Sequence, residues 1–410
     1  MKLIKGFSYV LRAAADYLSP PSKAEIQQQP SAGVSDSGKQ VNTNSSLSIG
    51  AVWGCVRLLA DVVSTLPLQV FERTSDGKKA LKYDHPLYYI LHDSPNADMS
   101  AVDFWCAQQV AIELRGNAYA LKLKAGNDII GLDPLKTDGM KVTRDKSGRL
   151  VYDYKDKFRE GKFSEADILH IKGFTLDGIT GMSTLAYAKN TLGLSLSADS
   201  VASETFRNGL RPSALLQVNR LLNQEQRELY YENLARWSAQ RAGSVMIMEL
   251  GETLTPANLT PDDAQLLESR EFSVEEICRW FGVPPFMIGH TQKSTSWGTG
   301  LEQQNIGFLT YALAPRLKRI AQAIGKSLLQ PEERQKYFVE FNLEGLLRAD
   351  SAARSSFYSQ MLQNGVMSRN EVRSKENLQP VEGGDALTVQ SNLIPIDKVG
   401  TNYQDYTQEQ

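Results

Sequence analysis

The chain has 410 residues, 41% of them hydrophobic, enough for several modest cores, since a single core stops growing beyond about 250–300 residues. Its 45 Lys and Arg against 47 Asp and Glu leave a formal net charge of -2, which excludes the strong positive field behind tight phosphate binding. Three distant cysteines, Cys55, Cys106 and Cys278, form no CxxC pair, so no disulfide framework is expected and the compartment is reducing.

Residues 2–18 place Leu3, Phe7, Val10, Leu11, Ala14 and Leu18 on a helical stripe broken by Lys5, Arg12 and Asp16, unlike a signal peptide's unbroken apolar core. No run approaches the roughly 18 apolar residues of a spanning helix, so a soluble protein without membrane function is expected. From Ser19 to Ser48 the chain is rich in Pro, Ser, Gln, Asn and Gly, and 1–48 reads as a flexible arm. Val52, Val56, Leu59, Val63 and Leu66 then predict a buried helix ending at Pro67.

Strand signals follow at Leu68 to Arg73, at Tyr119, Leu121 and Leu123 before Gly126-Asn127, and at Val142 to Arg144 and Leu150 to Tyr154 across Ser147-Gly148. Phe104 to Leu114 reads as a helix, so this region mixes helix and strand. Ser183 is a candidate cap for a helix running to Phe206 and stopped by Asn208-Gly209. Ser213 to Val218, a helix opened by Asn223, and Val245 to Leu250 predict a β-α-β insert between helices.

Thr260-Pro261-Asp262-Asp263 combines a capping hydroxyl, an N-terminal proline and two carboxylates at the positive helix end, and that helix stops at Gly282 and Pro284-Pro285. His290 to Gly300 then breaks periodicity with a polar, glycine-punctuated stretch that reads as a functional loop. Behind it Leu309, Leu313, Leu317, Ile320, Ile324 and Leu328 mark a long helix. Pro315 inside it predicts a kink near Tyr311. The fold class is α+β.

The sequence has no GxxxxGK[ST] phosphate loop, no GxGxxG after a strand, no GxSxG elbow and no HExxH pair, so no catalytic residue, cofactor or metal is expected. His85, His92, His170 and His290 lack partners at metal-ligand spacing and read as structural. Asp262-Asp263 is better explained as a helix start than as paired catalytic carboxylates. Tyr88-Tyr89 and Tyr230-Tyr231 have the chemistry to stack on bases, although adjacent aromatics more often divide between core and surface.

Ordered blocks run along most of the chain: GNAYA at 116–120, ADILHIKG at 166–173, GITGMSTL at 178–185 and FRNGLRPSALL at 206–216. LESREFSVEEICRWFGVPPFMIG at 267–289, NGVMSRNEVR at 364–373 and Gly383-Gly384-Asp385 complete them. In this order they resemble the portal proteins of HK97-like tailed bacteriophages. That resemblance implies a ring of copies, usually twelve, around a DNA channel at one capsid vertex. It also implies a division into arm (1–48), wing (49–182), stem helices (183–208 and 260–288) and clip (209–259). Tunnel loop (289–300), kinked helix and wing return (301–342), crown-side helices (343–385) and flexible tail (386–410) would follow.

The resemblance assigns His290, Gln292, Lys293, Ser294, Thr295 and Trp297 to the DNA-facing loop and Arg236, Trp237 and Arg241 to a partner-binding clip. Implied partners are further copies of the chain, double-stranded DNA held without sequence preference, the terminase large subunit, a head-tail adaptor and the major capsid protein. The implied setting is a virion assembled in the host cytoplasm. Another head-completion protein, or a packaging enzyme such as a terminase, is the alternative.

Overall fold

The computed structural model describes residues 26, 32–74, 79–207, 213–218, 223–239, 252–257, 263–290, 299–343, 351–376 and 378–388. They divide into two compact units, one drawn from Met1–Thr65 and Gln69–Glu340, the other from Leu66–Leu68 and Phe341–Gln410. Among the described residues no helix is long and apolar enough to cross a membrane.

The larger unit is organised around helix α2 (Gly50–Thr65), whose Val52, Cys55, Val56, Leu59 and Val63 are all buried, as the apolar period predicts. Against it packs α4 (Ala101–Arg115), which begins in a capping box between Ser100 and Asp103 and ends at left-handed Gly116. The same core takes in Leu185 and Leu192, then Ile277, Cys278 and Phe281, and finally Phe308 and Ala312. Residues far apart in sequence thus share one apolar interior.

Three small antiparallel sheets flank these helices. Strands β3 (Leu68–Arg73), β4 (Lys79–Leu81) and β13 (Tyr337–Phe341) form one, in the order β13-β3-β4. Strands β5 (Asn117–Ala125), β6 (Asp128–Leu135) and β10 (Ile168–Lys172) form the second, with β5 central and Lys172 opposite Asn117. Strands β7 (Met140–Arg144), β8 (Leu150–Lys155) and β9 (Glu160–Ser164) form a meander. Tyr152 and Tyr154 of β8 join Tyr119, Leu135 and Ile168 in a second core.

Beyond the helical stripe of residues 2–18, which lies outside the described residues, the predicted helices and the hairpins at Gly126 and Ser147-Gly148 are present. Helix α3 (Pro86–His92) was not anticipated. Its cap is His85, whose Nδ1 accepts the Leu87 N–H at 3.1 Å, in place of the usual hydroxyl or carboxylate. The helix expected from Ser183 is split into α5 (Thr184–Tyr187) and α6 (Lys189–Arg207), with Ser183 Oγ accepting the Ala186 N–H.

The arm reading is corrected for residues 32–48. Here β1 (Gly33–Val34) and β2 (Gln40–Val41) form a hairpin, and α1 (Thr43–Leu47) is capped by Asn42. Val41 is buried, Asn190 Nδ2 donates to Asp36 Oδ2 at 2.7 Å, and Lys39 Nζ donates to Ser200 Oγ at 2.7 Å. Cross-chain hydrogen bonds and one buried valine anchor a segment whose composition alone suggested disorder.

In the insert, β11 (Ser213–Val218) pairs antiparallel with β12 (Glu252–Ala257), and α7 (Gln224–Ala239) lies between them in sequence. Asn223 and Gln226 cap that helix reciprocally. The second strand of this insert is 252–257, a segment not expected as a strand; the expected strand at Val245 to Leu250 lies outside the described residues. The Thr260 to Asp262 cap also lies outside them, ahead of α8 (Asp263–Phe281). In the smaller unit, α11 (Ser351–Gln363) precedes α12 (Arg369–Lys375), which opens in a capping box between Ser368 and Glu371.

Three of the recognised sequence blocks meet at one point. Gly116 has φ +73°, and a Cβ there would collide with the Met182 carbonyl, while one on Gly181 would collide with the Gly116 carbonyl. Asn117 closes the junction: its Oδ1 accepts the Gly181 N–H at 2.7 Å and its Nδ2 donates to the Gly181 carbonyl at 2.7 Å. The same Oδ1 accepts from His170 Nε2 at 2.9 Å, leaving Nδ1 to accept from the Tyr152 hydroxyl at 3.3 Å. A neutral imidazole satisfies this pocket with one donor and one acceptor.

Burial, with a smaller push from Lys172, therefore lowers the His170 pKa from 6.5 to about 3. A histidine depressed in the folded state stabilises fully above its unfolded value and loses that contribution as pH falls toward the folded one. Denaturant unfolding is expected to show a loss of about 1.4 kcal/mol per pH unit below 6.5 from this group. The pH slope of a His170→Gln variant should be shallower by about one proton over the same range.

Candidate functional site

The loop expected between His290 and Gly300 is entered through a turn written by glycine and proline. Gly282 closes α8 at φ +65°, and the Val283 N–H donates to the Cys278 carbonyl at 3.0 Å. Extended Pro284 then leads to a short 3-10 turn, Pro285–Ile288, and to Gly289 at φ +85°. The His290 N–H donates back to the Pro285 carbonyl at 3.1 Å. His290 Nε2 is buried and has no hydrogen-bond partner among the described residues.

The chain is described again from α9 (Thr299–Gly307), which continues into a π-helical segment, Phe308–Leu313, and then α10 (Ala314–Leu328). The expected disturbance near Tyr311 thus takes the form of a π-helical widening. Pro315 has no N–H to offer the Tyr311 carbonyl, and the Ala314 N–H bonds five residues back, to Leu309. Phe308, Ala312 and Leu313 are buried, whereas Tyr311 is 83% exposed.

One residue joins the two sides of this frame. Arg316 donates from Nε to Glu113 Oε1 at 2.6 Å and from Nη2 to Glu113 Oε2 at 3.0 Å. Nη2 also donates to the Phe281 carbonyl at 2.7 Å, at the C-terminus of α8, and Nη1 to the Ala312 carbonyl at 2.8 Å. Glu113 accepts a further bond from Gln109 Nε2 at 2.6 Å. This fork-to-fork pair fixes the end of one helix, the π segment and α4 to a single guanidinium.

An open cavity of about 570 Å³ lies beside the clamp, with Cys278, Val283, Pro285, Phe308, Tyr311 and Arg316 among its walls. Arg279, also on its rim, pairs with Glu275 and Glu276. Among the described residues no group of three or more His, Cys, Asp and Glu side chains is placed to hold a metal ion.

Of the predicted loop residues, His290 stands at the end of the entry turn, while Gln292, Lys293, Ser294, Thr295 and Trp297 lie outside the described residues. Arg236 and Trp237 belong to the α7 backbone, and Arg241 lies outside the described residues. Sequence reasoning missed Glu113 and Arg316. The available signal was a carboxylate between Ile112 and Leu114 on a helix that buries both, and an arginine directly after the helix-disrupting proline.

The model of the family described as phage portal protein matches residues 50–377. The chain is 36% identical over 366 residues to the portal protein of Enterobacteria phage HK97, an alignment covering 88% of this chain and 86% of that one. A chain from the neck of an empty gene transfer agent particle, computed with C6 symmetry, has a similar fold. Its TM-score is 0.61 at 24% identity, covering 86% of this chain and 96% of that chain. The crystal structure of an HK97-family portal protein from Corynebacterium diphtheriae aligns with a TM-score of 0.58 at 15% identity, covering 77% of this chain and all of that one.

Removing one partner of a buried, bidentate ion pair strands the other charge, so Arg316→Met is expected to cost about 3–5 kcal/mol in denaturant unfolding. Arg316→Lys should recover little of this, because an ammonium cannot reproduce the fork to Glu113, Phe281 and Ala312. The double variant Glu113→Gln/Arg316→Met should be more stable than Arg316→Met alone, giving a coupling energy of at least about 1 kcal/mol.

Proposed function

The chain belongs to the phage portal protein family, and from that membership we propose that copies of it close into a ring, of twelve in the simplest case, around a channel for double-stranded DNA at one capsid vertex. The role is structural, without catalysis. The observation that carries the reading is the frame around the segment between His290 and Thr299. A proline and glycine turn holds one end, and the other end runs through α9 into a π segment clamped by Arg316. A binding segment mounted on a rigid scaffold suits a conduit.

Ring closure needs two different complementary surfaces on each copy, and every axis-facing residue is then repeated around the channel. Lys293 is the only Lys, Arg, Asp or Glu between His290 and Gly300, so it would supply a ring of single positive charges. Such a ring touches phosphates without reading bases, and the overall charge of -2 keeps the hold weak. Sliding requires that weakness. His290, Gln292, Ser294, Thr295 and Trp297 complete the proposed channel lining.

The β-α-β insert is the proposed clip. Its helix exposes Leu229 and Tyr231 among charged neighbours, as suits a surface that meets partners. Arg236, Trp237 and Arg241 are proposed to face the terminase large subunit during packaging and the head-tail adaptor afterwards, while the wing meets the major capsid protein. Assembly would take place in the host cytoplasm before incorporation into the virion.

Electron micrographs of the purified protein should show rings with a central channel; monomers alone at micromolar concentration would contradict the reading. Lys293→Ala, or a Gly-Ser replacement of residues 292–297, should leave those rings intact and lower the DNA content of particles. Alanine at Arg236, Trp237 and Arg241 together should weaken capture of terminase or adaptor at least about tenfold, as for a hot-spot cluster, with rings again intact. Unchanged capture of both partners would place the docking surface elsewhere.

A further inference from the structure

We propose that Cys55 and Cys278 are an oxidisable dithiol, a modification site at which a hydroperoxide joins two buried thiols into a disulfide linking α2 to α8. Both cysteines are free, and their sulfurs lie 4.0 Å apart across the packed interface of these helices. Neighbours at that distance need to close to about 2.05 Å, a shift of about 1 Å for each sulfur. The third cysteine, Cys106, is partly exposed.

The two thiols have different access. Cys278, 2% exposed, belongs to the wall of the open cavity beside Arg316, the side from which a small oxidant would approach the pair. Cys55 lies behind it, 0% exposed. The hydrogen bond between them gives them different chemistry as well. Cys55 donates its S–H to Cys278, which lowers the pKa of the acceptor thiol against the opposing effects of burial and Glu275. The same bond, with burial, raises the pKa of Cys55. Position and polarity thus agree that Cys278 is the attacking sulfur and Cys55 the resolving one.

In the first step the Cys278 thiolate attacks one peroxide oxygen. The O–O bond breaks, the departing oxygen leaves as water after protonation, and Cys278 becomes a sulfenic acid. In the second, the Cys55 sulfur attacks the Cys278 sulfur and the S–O bond breaks. Hydroxide leaves with the Cys55 proton as another water. Two thiols and one hydrogen peroxide therefore give one disulfide and two waters. The product joins the helix at the start of the main core to the helix that carries the Arg316 clamp at its C-terminus.

The test treats the folded, full-length protein with dilute hydrogen peroxide, then alkylates it and maps its peptides without reduction. The expected product is a Cys55–Cys278 peptide about 2 Da lighter than the paired thiols, with Cys106 still alkylated and the link lost on adding dithiothreitol. The folded oxidised protein should also unfold at a higher temperature than the reduced form. Cys55→Ser should accumulate a sulfenic acid on Cys278 that dimedone traps, separating nucleophile from resolver. Three alkylatable thiols after treatment, a disulfide formed only above the unfolding transition, or oxidation confined to Cys106 would each overturn the proposal. These readouts need neither ring nor DNA, so they stand apart from the fate of the portal reading.

Discussion

The geometry around the candidate site depends on where the Arg316 guanidinium goes. Its N–H groups reach a carboxylate on α4, the last carbonyl of α8 and a carbonyl within the π segment. Taking both charges out of water is costly, and a packed apolar replacement can match or exceed such a pair in stability. Directionality is what an apolar contact cannot supply. A leucine would tolerate rotation or sliding of these elements, whereas a planar fork with four short hydrogen bonds admits one arrangement. The clamp also accommodates the proline, because the π-helical stretch before Pro315 leaves the Ala312 carbonyl turned where the side chain one residue after the proline can reach it.

A second polar junction sits at the same C-terminal end of α4. There Gly116, Asn117, His170 and Gly181 close around one another with backbone approaches too tight for any Cβ. The last turn of α4 is therefore held twice by directional bonds, through Glu113 and through the cap at Gly116, three residues apart. Between them the β5-β10 sheet, the chain leading to α5, the end of α8 and the start of α10 are all referred to one helix.

Much of this was legible from sequence where the information is local. The stripe at Val52, Val56, Leu59 and Val63, the cap at Ser183 and the stop at Gly282 and Pro284 all act within a few residues, and each appears where it was expected. Strand β9 was not legible, because Glu160–Ser164 is largely exposed and carries little apolar alternation. Helix α3 hid behind a histidine cap. Residues 32–48 were misread because composition counts apolar side chains and overlooks bonds to distant partners such as Asn190 and Ser200. Glu113 and Arg316 lie 203 residues apart, beyond any periodicity. The blocks that carried the resemblance were informative for a different reason: GNAYA, ADILHIKG and GITGMSTL supply the glycines, asparagine and histidine of the α4 junction. They report fold.

That division bears on how substitutions should be read. In the frame, glycine and proline determine where the chain is delivered at His290, and the arginine fork ties the π segment beyond α9 to α4 and α8, so a change there moves position and stability together. Between His290 and Thr299 the sequence offers one lysine, one tryptophan and hydroxyl and amide side chains, with no apolar run to bury. The proposed conduit would need both properties: fixed geometry, so that every copy presents the same atoms, and modest chemistry, so that no copy holds on. The buried network supplies the first among the described residues, at the cost of desolvated charge.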